Sequence, residues 1–593
     1  MSTLAHSFHV PVLGIGFSVD MPFKTAQYGI SSVISLVNDN LVEKMREYYS
    51  KISGQTYIPI SKAVEDHRAL RITEYLNLMQ NVVGKQIEDL RNSISVNTHE
   101  VKKYFSLLPD GSILKKRFLD FCSEKSDSVK KDILDFIKSS IVAGEICVNI
   151  MTKVDRDNYK DGVKLDKEYS DALAALRGFA NSRGKAAIVF SAGFNRRLYS
   201  YLENFDCFYP KEDGSLEKKI ILKISDYRSA LTQAKFLASK GIWISEYRVE
   251  SGLNCSGHAF PIEGKSAGMI LEELKNNRQE LIDTLFPVYK EAVKTKKGIE
   301  IHTPHEIKYT YQGGVATAEE HAFLMKYYTL DSIGWGAAFM FVPEVTNIYE
   351  KTLTKLINAR YEDLYISGAS PLGVPFNTLR ENINEEKMYE RYKNGDYGYN
   401  CVLGYLSSNK EFTEKPICTA SKQYMDLKIE SLKNEGLTGV ELENAIKPLL
   451  IKYCLCADLS KTEVTPYKVE KNDDGRDVKS VCSGKTAAFF NKKMSLEEIA
   501  DHIYGRNDHL DHSTKRPSLF ITELNITVDY LKKMINEKAS SKEVTAYISN
   551  IMEGIQYYTE RTNELAIGMT PDEMKSELLR IQSEVTAIQT SVL

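Results

Sequence analysis

The chain of 593 residues lacks any stretch of about 18 uninterrupted apolar residues, so no membrane span is expected. It also lacks an excess of either charge. A formal net charge of −3 gives no basis for a nucleic-acid or polyanion partner, although a buried phosphate needs no basic chain. The opening MSTLAHSFHVPVLG has no charged stretch leading into an apolar one, so no signal peptide and a cytoplasmic location are expected. Nine cysteines at irregular spacings are unlike a secreted disulfide framework, and no C-x-x-C pair occurs. A G-x-x-x-x-G-K-[ST] loop, internal repeats and low-complexity tracts are all missing.

What is present is an ordinary globular composition, 42% hydrophobic and 26% charged, in a chain too long for one core. Short apolar runs recur up to about residue 341: Val10–Phe17, Ser32–Val37, Glu145–Thr152, Ala186–Phe190, Lys219–Ile224, Ile242–Val249, Ile307–Gln312 and Ser332–Phe341. Amphipathic helical patterns such as Asp226–Ser239 and Thr317–Tyr328 separate them. Strand–helix alternation implies parallel pairing, and eight units favour closure into a barrel. The expected fold is α/β, a (β/α)8 TIM barrel over residues 1–345 with a helical insertion at 41–143. A second helical stretch, Met269–Lys297, precedes the seventh strand. Residues 346–593 form a mainly helical C-terminal region, with capping signatures at Ser495–Glu498 and at Thr570, Pro571 and Glu573. Glu470–Lys479 (EKNDDGRDVK) reads as a surface loop or linker.

The seventh and eighth strands both end in glycine turns, Gly313-Gly314 and Gly334-Trp335-Gly336. In barrels the last two β-loops commonly grip one phosphate, and glycine lets backbone amides reach its oxygens. Thr317 and Glu320 (T-x-x-E) mark a capped helix start just after the first turn. Gly14-x-Gly16 lacks the third glycine and acidic partner of a dinucleotide fingerprint and reads as a strand-end turn. The segment SGLNCSGHAF, residues 251–260, places His258 in a glycine-rich loop on the same barrel face. An imidazole there can move a proton or hydrogen-bond an oxyanion. Cys255, three residues earlier, would be a nucleophile only with a lowered thiol pKa.

These residues together resemble the nitronate monooxygenase (2-nitropropane dioxygenase) family and the related flavin-dependent enoyl-acyl-carrier-protein reductases, which are FMN-binding TIM barrels. Val148-Asn149-Ile150 matches the family's third-strand V-N-[LI], whose asparagine faces the flavin. Gly257-His258 matches the end of A-G-G-H, Gly313-Gly314-Val315 matches G-G-[IV], and Gly336-Ala337-Ala338-Phe339 matches G-T-x-F with alanine for threonine. The resemblance implies FMN as cofactor, a small-molecule substrate, His258 as acid–base residue, and Asn149, Lys223, Gly257, Gly313, Gly314, Gly334 and Gly336 as cofactor-binding residues. The Q-x-P-M stretch expected after the first strand is replaced by Gly16–Pro22, and the insertion and the tail have no counterpart in compact members.

Two alternatives remain open. A flavin-free barrel enzyme would bind a phosphorylated substrate with the same two loops and use Lys223. A degenerate barrel would serve as a non-catalytic, partner-binding component of an assembly. In the tail, Cys401, Cys418, Cys454, Cys456 and Cys482 raise an iron–sulfur cluster or a structural zinc as a second cofactor, against ordinary buried thiols. The His509-to-His512 spacing, with His502 nearby, has no H-E-x-x-H glutamate and reads as a polar segment.

Overall fold

The structure, a computed structural model, describes residues 5–150, 155–254, 257–259, 265–460, 482–537 and 539–592. Eight parallel strands close into a barrel: β1 Phe8–Val10, β2 Ser31–Ser35, β3 Ile146–Asn149, β4 Ala186–Phe190, β5 Lys218–Ile224, β6 Glu246–Glu250, β7 Lys308–Gln312 and β8 Ser332–Gly334. Each pairs with its sequence neighbours, and β8 pairs with β1 through Ile333 opposite Phe8 and Gly334 opposite His9. The (β/α)8 barrel expected from the alternation is the fold.

Only β4 keeps the bounds read from the sequence, and three of the shifts have a clear local reason. The first strand is Phe8–Val10, not Val10–Phe17, because Pro11 has no N–H to continue the ladder. The chain then turns through Gly14 at φ +131. The sixth strand starts at Glu246, not Ile242, because the Ile242 amide still closes the preceding helix on the Leu237 carbonyl. The eighth ends at Gly334. Its last ladder bond runs from the Trp335 amide to the His9 carbonyl, and the apolar residues beyond form a 3-10 turn, Ala338–Phe341.

Inside the barrel the side chains divide by strand. Val33, Cys147, Ala187, Val189 and Ile221, from β2 to β5, form a small apolar cluster separate from the main core. The opposite wall is polar. Arg248 binds the Glu246 carboxylate at 2.6 Å, the Thr310 hydroxyl donates to the same carboxylate at 2.5 Å, and His9 Nδ1 meets the Ser332 hydroxyl at 2.9 Å. Such alternation along β6 to β8 turns every second residue inward.

The insertion between β2 and β3 is a set of helices: Asp39–Ile52, His67–Ser93, His99–Leu107, Ile113–Ser123 and Asp127–Ser140. Two more, Ala267–Asn276 and Arg278–Lys297, precede β7. The C-terminal region is mainly helical, as expected, with one addition. A two-stranded hairpin, β9 Leu364–Ser367 and β10 Phe376–Leu379, lies antiparallel near its start. Capping boxes form at Thr317/Glu320 and Ser495/Glu498, and Thr570 and Glu573 exchange amide bonds in the same manner. The Glu470–Lys479 loop lies outside the described residues. No described helix is long and apolar enough to cross a membrane.

The main core runs continuously from Phe8 in β1 to Val585 in the last helix. Its C-terminal part covers the end of the barrel where the strands finish. The Leu459 carbonyl accepts the Gly16 amide at 2.6 Å, and Phe490 packs against Phe341 with ring centroids 5.7 Å apart. The geometry at the barrel mouth is therefore set by residues some hundreds of positions away in sequence.

Candidate active site

Two of the expected residues stand in the layer of inward side chains that faces the mouth. Asn149 ends β3, and Lys223 lies one residue before the end of β5. The Lys223 ammonium is bound by both carboxylate oxygens of Glu250, at 3.0 and 3.1 Å, and the Gln312 side-chain amide donates to Glu250 at 2.7 Å. Both members of the ion pair are nearly buried. A buried pair with a third hydrogen bond is fixed in direction, and a fixed ammonium at a barrel mouth can orient an anionic or carbonyl oxygen.

The glycine turns approach one another as expected. Gly313, Gly314 and Gly336 line one pocket together with Asn254, Gln312 and Pro11. Gly313 and Gly314 have φ of +118° and +82°, a region that favours glycine. No described residue offers an acceptor to the amides of Gly313, Gly314 or Gly336. The neighbouring helix start is different, because the Ala316 and Thr317 amides are already bound by the Glu320 carboxylate. Asn254 completes the pocket. It is 2% exposed, and neither its side-chain oxygen nor its nitrogen has a partner among the described residues. A buried, unpaired amide costs about 1–3 kcal/mol, so its presence beside three free backbone N–H groups points to a polar ligand.

The donor set suits a phosphate. The space between the described residues is smaller, about 10 Å³, which is room for about one water. A phosphate at these amides requires the wall of Pro11, Val12 and Leu253 to give way.

The C-terminal region closes around the pocket from outside. Arg516 donates to the Gly314 carbonyl at 2.9 Å, pairs with Glu320 at 2.6 Å, and is joined on that carbonyl by Thr486. Leu519 and Leu253 sit so close to Gly314 that a Cβ there would lie 2.6 Å from each. Gly334 serves packing inside the barrel, since a Cβ would lie 2.6 Å from Gln312 and 2.9 Å from His9. Gly257, at φ +90°, is pressed against Phe376 and gives its carbonyl to the Asn377 amide at 2.8 Å.

His258 is held by the β9–β10 hairpin. Its Nε2 lies 2.8 Å from the Ser370 hydroxyl, its backbone bridges to Phe376, and its ring meets the Phe376 ring edge-to-face at 5.2 Å. It is half-buried and is not part of the Asn254 pocket wall. Cys255 lies outside the described residues.

The tail cysteines come together only in part. The Cys401 thiol contacts Cys418, Cys454 contacts Cys456, and the two pairs lie near enough to interact electrostatically, while Cys482 points at the Leu13 carbonyl 3.6 Å away. Contact with Cys401 and burial push the Cys418 thiol well up, and burial pushes Cys482 up to about 12. Among the described residues no group of three or more His, Cys, Asp or Glu side chains is arranged to hold a metal ion, so the iron–sulfur or zinc expectation finds no ligand set there. His502 is structural, its Nε2 2.7 Å from the Ala316 carbonyl, and His512 is an exposed partner of Asp508.

Sequence reasoning missed Asn254, Glu250 and Gln312. The signal for Glu250 was present, because Glu246, Arg248 and Glu250 alternate along EYRVE as an inward polar face. Asn254 lay within a quoted motif, and only its burial singles it out.

No family model matches the chain, and no curated protein matches it. Among solved structures it is similar to FabK from Thermotoga maritima, at 12% identity and TM-score 0.33, over 88% of this chain and 95% of that one. It is similar also to nitroalkane oxidase from Streptomyces ansochromogenes, at 10% identity and TM-score 0.33, over 85% and 97%. The barrel described above rests on its own strand register.

Proposed function

We propose that the protein is an FMN-dependent oxidoreductase acting on a small molecule. The observation that carries this reading is the pocket in which three partnerless backbone amides and the unpaired Asn254 side chain converge at the ends of β6, β7 and β8. In this reading Gly313, Gly314 and Gly336 hold the cofactor phosphate and Asn254 adds one donor. Asn149 and Lys223 face the rest of the cofactor from the inward layer. When bound, the flavin supplies the two-electron redox centre. Glu250 and Gln312 keep the Lys223 ammonium aimed at the mouth, where it orients an electron-rich oxygen of substrate or cofactor. His258, steadied by Ser370, gives or takes the substrate proton. Two modes suit this chemistry: oxidation of a nitronate-like carbanion, and reduction of an activated double bond.

The test is direct. Purified protein is expected to absorb near 450 nm, or to bind FMN at micromolar concentration. His258→Ala is expected to lower turnover by about 10²–10⁴ with FMN binding retained. Colourless protein without FMN affinity would sink the flavin, and full turnover in the variant would remove His258.

One observation favours a second reading, a flavin-free barrel enzyme for a phosphorylated substrate. Lys223 already has the buried carboxylate partner of a catalytic lysine. This reading expects colourless protein whose melting temperature rises with inorganic phosphate.

A further inference from the structure

The opposite end of the barrel holds a larger cavity that the site above does not use. It has a volume of about 270 Å³ and lies where strands begin, with Glu145 just before β3, Lys219 in β5, Glu246 opening β6 and Lys308 opening β7. Barrel interiors are ordinarily filled here by packed side chains, and conservation at this end reads as stability. This chain leaves space instead, at the lower edge of the usual range for small-molecule sites.

The cavity wall has partners to spare. Lys308 is 9% exposed, and its ammonium has no hydrogen-bond or ion-pair partner among the described residues, although its charge is felt by Asp331 on the adjacent loop. The hydroxyl of Ser245, 8% exposed, is buried and has no partner among the described residues. By contrast Lys219 is paired with Glu145 at 3.1 Å, and His305 Nε2 is taken by the Tyr289 hydroxyl at 2.7 Å. Glu246 spends one oxygen on Arg248 and Thr310, and Glu306 is exposed at the rim. The wall thus offers one free ammonium and one free hydroxyl beside carboxylates with unspent oxygens.

A simple anion would bring its charge against Glu145, Glu246 and Glu306. A simple cation would meet Lys219 and Lys308. A molecule with both charges a few bonds apart offsets both walls. We propose that this cavity is a second ligand site for a small amino acid, its carboxylate on Lys308 and Ser245 and its ammonium toward Glu246 and Glu306. The inference is independent of the flavin reading, since no residue is shared.

Saturation-transfer NMR of the full chain with the common amino acids at millimolar concentration, each paired with its N-acetyl derivative, tests it. At least one free amino acid is expected to receive saturation and to raise the melting temperature, with its N-acetyl derivative markedly weaker. Lys308→Met is expected to weaken binding by about 10- to 100-fold, the loss of one charge-assisted hydrogen bond. Ser245→Ala, a smaller change, provides a second variant should Lys308→Met fail to fold. Absence of binding by every amino acid to folded wild-type protein overturns the proposal. So does equal binding of the N-acetyl derivative, or binding undiminished in both variants.

Discussion

Asn254 carries a full side-chain amide into a place where no described residue partners either end. Removing that amide while keeping its bulk should therefore help the empty protein and hurt the loaded one. Asn254→Leu is expected to raise apoprotein stability by about 1–3 kcal/mol, the cost of the unpaired group, and to weaken FMN binding about tenfold or more. Urea melts and flavin titration read the two effects separately. A purely structural amide would give destabilisation instead. His6 offers a second residue-scale check. Burial holds its pKa down at about 4, against 6.5 when unfolded, and its Nε2 meets the Tyr28 carbonyl while Nδ1 meets the Tyr504 hydroxyl. With the folded pKa lowered, its contribution is intact above pH 6.5 and is lost as pH falls toward 4, by about 3 kcal/mol in all. His6→Gln should flatten the fall in urea midpoint between neutral and acid pH. An unchanged slope would show that other groups govern it. Neither residue was recognisable as special beforehand. Asparagine and histidine are read from sequence by motif, whereas what distinguishes these two is burial, which only the distant chain around them creates.

At the scale of elements, the strand–helix alternation was legible because apolar runs too short for helices must pair with something. Their ends were not, because a strand stops where its neighbour stops. β8 ends with β1, and β1 ends at Val10, just before Pro11. The polar wall was legible too, in the alternation Glu246, Arg248, Glu250, but an apolar window starting at Ile242 hides it. The two glycine turns were placed correctly as neighbours, since successive parallel strands fix their loops side by side. Nothing local tells that Glu320 does more than cap its helix. It also binds Arg516 and the Leu519 amide, joining the β7 turn to a helix nearly two hundred residues on. Removing one partner of such a buried pair costs about 3–5 kcal/mol, against about 1 kcal/mol for an ordinary N-cap. Glu320→Ala should thus destabilise the protein several times more than Ser495→Ala, which breaks only its own capping box. Equal effects in denaturant melts would mean that Glu320 acts as a cap alone.

The whole molecule decides whether the barrel stands by itself. The change from strand–helix alternation to helical patterns near residue 345 suggests a boundary, yet the core crosses it without interruption. Four large barrel side chains depend on the C-terminal region for cover: Phe8 against Tyr504, Leu253 beside Leu519, Trp335 against His502 and Phe341 against Phe490. Exposing each costs about 1.5–3 kcal/mol, so together about 6–12 kcal/mol, which is comparable with the whole stability of about 5–15 kcal/mol typical of a folded domain. Carbonyls of the mouth loops lose partners as well, among them Gly314 to Arg516 and Ala316 to His502. A chain ending at residue 345 is therefore expected to show no cooperative thermal transition by circular dichroism, whereas the full chain melts cooperatively. The same reasoning bears on the site, because the residues that fasten Gly314 and His258 belong to the C-terminal region. A truncated barrel that melted cooperatively, within a few degrees of the full chain, would show that the cover is an addition. Loss of the transition would mean that the mouth exists only because the tail builds half of it.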